Sequence, residues 1–403
     1  MSKSLLAEQP LRAVPALKPI DTPKTCVEPG EDYRRLAERR HAWSAWPDGD
    51  TVTGPPLRSS SMSIKGKPTS FDIAYLAGVS QPTVSRALRG SPLVNEETRN
   101  RILDIARQLN YKVDKNASSL RSQQSGTIAL LLFEDPTPDD SHINPFFLSM
   151  LGSITRACAR RGFDLLVSFQ QLSNDWHRDY EDSNKADGLI LLGYGDYLDY
   201  REKLEKLSAQ GTHFVRWGAV MEGQPGVSIG CDNYQGGLDI TAHLLAKGHT
   251  QIAFLGDTSE SCPELRDRFL GYQQALKNAG IDTAPALQVD AITTENSGYE
   301  SLRELLSRGV AFDAIFGASD AIAIGAMRAL LEHGYKIPSE IAVAGFDDIP
   351  LASYVNPPLT TVLQDTKQAG ELLVDNLLRL IHNEPVVSTT IAPRLIVRRS
   401  CGG

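Results

Sequence analysis

Long apolar runs are missing from this 403-residue chain. No stretch of eighteen apolar residues occurs, so no membrane-spanning helix is expected. The first residues carry no apolar core of a signal peptide, so no secretory signal is expected either. Cysteine is scarce: Cys26, Cys158, Cys231, Cys262 and Cys401 form no C-x-x-C pair and no metal-ligand spacing. An odd, scattered set suits a reducing cytoplasm better than a disulfide framework. The eight histidines show no H-x-x-x-H spacing. There is no G-x-x-x-x-G-K-[ST] phosphate loop and no G-x-S-x-G elbow. Gly193-Tyr194-Gly195 follows a strand-like run, but Leu198 stands where a third glycine belongs. The expectation is a protein that is not an enzyme and holds no metal or cofactor.

Charge is unevenly placed. Residues 1–61 carry a net +1, residues 62–125 a net +5 and the remainder a net −14. A small basic segment on an acidic body suits a polyanionic partner at one end only.

The basic segment, residues 69–121, reads as three short helices and a further helical piece. Thr69 can cap the first helix with Asp72 as its capping-box partner. Ile73, Leu76 and Ala77 form one apolar face, and Gly78 permits a sharp turn. Ser80 is placed to cap a second helix with Pro82 in its first turn. That helix turns Val84, Ala87 and Leu88 inward and Gln81, Thr83, Ser85, Arg86 and Arg89 outward. Asn95 caps a third, whose stripe is Ile102, Ile105, Ala106 and Leu109. Helix, glycine turn and a second helix with polar and basic residues outward is the helix-turn-helix plan.

The string A-x-x-A-G-V-S-x-x-T-V-S-R-A-L (residues 74–88), then Leu109-Asn110-Tyr111, then Ala117 to Arg121 in A-x-x-L-R, resembles the lactose-repressor (LacI/GalR) family of bacterial transcription regulators. The resemblance runs on to about Arg399. It implies base contacts from Gln81, Pro82 and Arg86. Thr69, Ser80, Thr83, Ser85 and Arg89 would meet the DNA backbone. It also implies a hinge, with Ala117, Leu120 and Arg121 at the minor groove and Leu120 as a wedge between base steps. A proline common two residues after the tyrosine is replaced by Val113. Residues 1–67 read as a disordered Pro-, Arg- and Ser-rich extension, with one short helix possible over 33–43. Met62 stands where family members usually begin, so translation from Met62 is an expectation.

From residue 127 short apolar runs alternate with helical patterns. The runs are 127–133, 163–169, 188–193, 213–217, 251–256, 314–318 and 341–346. Helical patterns cover 146–161, 197–209, 234–247, 267–279, 299–307, 321–333 and 367–381. Continuous apolar runs suit parallel strands buried on both faces, and the alternation reads as doubly wound α/β in two subdomains. The resemblance implies an N-terminal all-α helix-turn-helix domain and a type I periplasmic-binding-protein-like core of two lobes. The expected organisation is an extension (1–67), a DNA-binding domain (68–113), a hinge (114–125) and a core (126–403). Lobe 1 would comprise 126–230 and 366–392, and lobe 2 would comprise 231–363 and 393–403.

Ligands of open parallel sheets bind beyond the carboxyl ends of the strands. That rule and the resemblance select Phe146, Phe147, Trp217, Arg268, Ser319 and Asp347. One of the two phenylalanines is expected in the core. Arg268 lies in R-x-x-G-Y and Asp347 in G-F-D-D. They are expected to face each other across the cleft as donor fork and acceptor, a pair suited to vicinal hydroxyls. Ser319 stands where asparagine is usual, Arg216 where an acid is common, and Cys262 where the purine-responsive branch has a second arginine. The resulting expectation is a homodimeric regulator, a repressor of sugar-utilisation genes. It would read a palindromic double-stranded operator in the cytoplasm under control of a small sugar. A purine or other metabolite as effector, and a sugar-binding transport protein, are the alternatives.

Overall fold

The computed structural model describes residues 67–111, 124–133, 143–170, 174–193 and 197–402. The extension up to residue 66, and Ala117, Leu120 and Arg121 of the expected hinge, lie outside the described residues.

The basic segment forms helices α1 (Ser70–Ala77), α2 (Gln81–Leu88) and α3 (Glu96–Gln108). Thr69 and Asp72 make the reciprocal capping box, and Gly78 closes α1 in the left-handed conformation at φ 64°. Asn95 Oδ1 accepts from the Thr98 amide at 2.8 Å, with Glu96 and Glu97 at the positive end of α3. Ile73, Ala74, Ala77, Val84, Ala87, Val94, Ile102 and Ala106 form the core of this unit. Leu76, expected inward, is 41 % exposed, and Ala74 is buried instead. A helix this short has room for only one narrow apolar stripe, and here it runs through 73, 74 and 77. Ser80 occupies the cap position of α2, but no backbone amide uses its hydroxyl, which lies 2.9 Å from Thr83 Oγ1.

The core holds two parallel sheets. Strands β1 (Thr127–Leu132), β2 (Asp164–Phe169), β3 (Leu189–Leu192), β4 (Phe214–Trp217) and β5 (Val227–Cys231) belong to the larger one. Helices α4 (Pro145–Arg161) and α5 (Tyr197–Ala209) connect them, with a π-helical turn over His177–Asp182. After β5 the chain forms α6 (Asn233–Ala246), β6 (Ile252–Leu255), α7 (Pro263–Asn278) and β7 (Gln288–Val289). It continues through α8 (Glu295–Ser307), β8 (Ala314–Gly317), α9 (Asp320–Glu332) and β9 (Ala342–Ala344). Strand β10 (Thr361–Leu363), helix α10 (Thr366–Ile381) and strands β11 (Thr389–Ile391) and β12 (Arg394–Ile396) complete it.

The larger sheet has the order β11-β5-β4-β3-β1-β2, the smaller β7-β6-β8-β9, and β10 pairs antiparallel with β12. Strand β11 therefore returns to the first sheet late in the chain, and α10 packs on α4 beside it. Burial on both faces holds for β1, β3, β4, β6 and β8, but not for β2. That strand is the sheet edge, and Leu166 and Val167 are exposed. Helix α7 begins four residues before the periodicity suggested, at Pro263.

Helices α6 and α7 approach closely enough that only glycine fits. A Cβ on Gly271 would lie 2.1 Å from the Tyr234 carbonyl oxygen, and one on Gly237 2.2 Å from that of Arg268. This reciprocal glycine contact holds α7 against α6 and sets where Arg268 projects.

Candidate DNA interface and interlobe site

On the three-helix unit Arg86, Arg89 and Pro82 are exposed, and Gln81, Thr83 and Ser85 are half-buried. Gln81 donates to Ser70 Oγ at 3.3 Å, and Arg89 Nε donates to the Ser85 carbonyl at 3.2 Å. Thr69's hydroxyl serves the α1 cap. Phe71 and Leu93, exposed at 68 % and 82 %, were not singled out from sequence. Apolar groups of this kind can meet thymine methyls.

In the core, two hydrogen bonds join loops that follow strand ends in different sheets. Asn144, after β1, donates from Nδ2 to the Thr293 carbonyl after β7 at 3.2 Å. The Ala219 amide, after β4, donates to Glu264 Oε1 after β6 at 2.7 Å. The carboxyl edges of the two sheets therefore face each other, as open α/β sheets require for a shared ligand site.

Phe146, Phe147 and Trp217 form one interlocked group. The Phe146 ring lies 5.3 Å from Phe147 edge-on and 6.0 Å from Trp217. All three are at most 3 % exposed and belong to the main core cluster. The expectation that only one phenylalanine is core is corrected: helix α4 starts at Pro145, and its first turn buries both.

Arg268 and Asp347 do not face each other across the cleft. Both belong to the lobe built on β6, β8 and β9, and both are buried, with Arg268 Nη1 3.5 Å from Asp347 Oδ1. Arg268 also donates to the Ala318 carbonyl at 2.5 Å and to Asn233 Oδ1 at 2.9 Å. Its guanidinium lies 3.8 Å from the centre of the Phe346 ring, a cation–π contact. Asp347 accepts from Gln364 Nε2 at 2.7 Å and adopts φ 120°, a rare conformation for a residue with a side chain. Ser319 is fully buried as the cap of α9, its Oγ accepting from the Ile322 amide at 3.2 Å. Next to it, Asp320 accepts from Thr361 Oγ1 at 2.5 Å and from the Ile349 amide at 2.9 Å.

Burial first, and the nearby Asp347 charge second, hold the Asp320 carboxyl well above the usual carboxylate range. Burial also pushes Asp347 up to about 6, against the opposing pull of Arg268 and Gln364. A raised acid stabilises the fold below its unfolded pKa near 4, and that contribution is lost as pH rises through about 6. Whatever offset the loss of the Arg268 partner sets, Asp347→Asn should therefore gain progressively on wild type between pH 4 and 7. A tenfold change in proton affinity corresponds to about 1.4 kcal/mol, so the gain is on the order of a few kcal/mol. Paired melting curves across that range check this; a constant difference between variant and wild type contradicts it.

Among the described residues no helix is long and apolar enough to cross a membrane. No cluster of three or more His, Cys, Asp or Glu among them is arranged to hold a metal ion.

Comparison with known proteins joins these two parts. Residues 71–114 match the model of bacterial regulatory proteins of the lacI family, and residues 241–401 match the periplasmic binding protein-like domain. The ribose operon repressor of Escherichia coli K12 is 33 % identical over 316 residues, covering 78 % of this chain and 93 % of that protein. The chain belongs to the LacI family. Among solved structures, the lac repressor dimer bound to operator and an anti-inducer is 26 % identical, with a TM-score of 0.72. The match covers 83 % of this chain and 99 % of that one. A CelR–cellobiose complex is 29 % identical with a TM-score of 0.61, covering 83 % and 99 %. As a LacI-family member the chain is a DNA-binding transcriptional regulator with a helix-turn-helix domain and a two-lobed type I core.

Proposed function

We propose that this LacI-family protein is a homodimeric, cytoplasmic repressor of sugar-utilisation genes whose operator affinity is set by a small neutral sugar between its lobes. The observation that carries the reading is the meeting of the two sheets' carboxyl edges, bridged by Asn144–Thr293 and Ala219–Glu264. Relatives named for ribose and cellobiose support a sugar over a purine. Two recognition helices in a dimer match a palindromic operator. Gln81, Pro82 and Arg86 read base edges, and Thr69, Ser80, Thr83, Ser85 and Arg89 hold phosphates. Ala117, Leu120 and Arg121 form the minor-groove hinge between the DNA-binding domain (68–113) and the core (126–403). Phe146, Phe147, Trp217, Arg268, Ser319 and Asp347 form or support the effector site. Effector binding changes the relation of the lobes, and operator affinity follows by linkage.

A thermal-shift screen of mono- and disaccharides against guanine and hypoxanthine tests the effector class. A neutral sugar at about a hundred times its Kd should stabilise the core by about 2.7 kcal/mol. Trp217→Ala should reduce the response. A purine that raises the melting temperature while no sugar does would replace the sugar reading.

A further inference from the structure

On the DNA-binding unit, one side chain expected to read a base is held by a residue not singled out from sequence. Gln81 is the first residue of α2, and its Nε2 donates to the Ser70 hydroxyl at 3.3 Å in a part-buried contact. Ser70 is the first residue of α1, eleven positions away. The capping box of α1 uses Thr69 and Asp72 and leaves Ser70 out of it. Gly78 turns the chain between the two helices, and the Val79 amide donates to the Ala74 carbonyl at 3.0 Å. Ile73, Ala77, Val84 and Ala87 pack beneath, all buried. The two helix starts therefore stand side by side on one shared core, and the Gln81 amide is oriented before DNA arrives.

We propose that Ser70 is a positioning residue that sets the Gln81 amide to read adenine and reject guanine at one base position of each half-site. This rests on the reading of Gln81 as a base contact and names the base. A glutamine amide carries two N–H donors on its nitrogen and one acceptor oxygen. Ser70 takes one N–H and so fixes which end of the amide is nitrogen. The second N–H and Oε1 remain side by side, a donor next to an acceptor. In the major groove adenine presents N7 as acceptor and N6 as donor, and matches both. Guanine presents two acceptors, N7 and O6, and its O6 would meet Oε1 with no proton between them. An amide free to turn end for end would put nitrogen where Oε1 now stands and lose that discrimination. Holding the side chain in place beforehand also removes part of the ordering cost of binding.

The test uses the full chain on a duplex that the wild-type protein selects from a randomised pool, with each half-site base then changed in turn. Gln81→Ala finds the position that Gln81 reads, as the one where base preference disappears. There wild type should prefer adenine over guanine by about fivefold to a hundredfold, and a deazaadenine lacking N7 should weaken binding by about threefold or more. Ser70→Ala should reduce the adenine-over-guanine ratio by about threefold or more while keeping random-duplex affinity and melting temperature. It should change nothing further in the Gln81→Ala background. Ser70→Thr retains the hydroxyl and should restore the ratio. A ratio unchanged in Ser70→Ala, or a preference of wild type for guanine, overturns the proposal. Equal losses on selected and random duplex would make Ser70 a phosphate contact, which overturns it as well. If Gln81→Ala leaves every base preference intact, the base-contact reading of Gln81 fails, and the positioning role fails with it.

Discussion

Arg268→Ala should destabilise the second lobe by about 3–5 kcal/mol, the range for removing one partner of a buried ion pair. The guanidinium is fully buried between Asp347, the Ala318 carbonyl, Asn233 and the face of Phe346. Alanine leaves those acceptors without their donor and opens a cavity beneath the ring. In a unit of 150–250 residues the loss corresponds to a fall in melting temperature on the order of 10 °C. The fall should be smaller at pH 5 than at pH 7, because Asp347 can then shed its charge by protonation. The sequence alone suggested Arg268 only as a donor fork at the effector site. Burial of the pair makes Arg268 a structural residue as well. Thermal unfolding of the full chain at both pH values checks this; a melting temperature within a degree or two of wild type would show that the pair is dispensable.

On the DNA-binding unit, Arg86→Ala should lose discrimination at one base position per half-site. A bidentate arginine–guanine pair is worth about 1–3 kcal/mol, so the preferred fragment should lose between roughly fivefold and a hundredfold while random duplex changes little. Arg86 is exposed near the end of α2, a helix whose inner face is fixed by Val84 and Ala87. The substitution therefore removes a contact without disturbing the core. Arg89→Ala should behave differently. Its guanidinium leans back onto the Ser85 carbonyl. As a phosphate contact its removal should weaken all sequences alike and lower the salt slope by about one. Parallel titrations on specific and random duplex separate the two. Equal losses on both duplexes for Arg86→Ala would contradict its assignment to a base.

The parts of the fold that were legible in the sequence are those fixed by near neighbours. Thr69 with Asp72, Gly78 and Asn95 announce their caps within three residues, and the parallel strands announce themselves as unbroken apolar runs. Strand β5 was missed because Ser228 and Gly230 interrupt its apolar character, although the whole strand is buried between β4 and β11. The exposed face of β2 was missed because an edge position depends on sheet order, which no local pattern records. In the site, Arg268 and Asp347 were identified, but their 79-residue separation hid that they are partners within one lobe. Glu264 was missed because α7 was read as starting at residue 267. Pro263 followed by an acid is a helix-start signature and would have placed Glu264 in the first turn, beyond β6.

One titration bears most directly on ligand-controlled, sequence-specific DNA binding. Fluorescence anisotropy would follow the full chain on a palindromic fragment selected from DNA beside its own gene, and on random duplex. Each titration would be run with and without the sugar found by thermal shift. The palindrome should bind at least about a thousandfold more tightly than random DNA. Saturating sugar should change that affinity by about 5- to 150-fold in one direction and leave random binding unchanged. Equal affinity for both duplexes, or an operator affinity that no sugar moves, would contradict the proposed function.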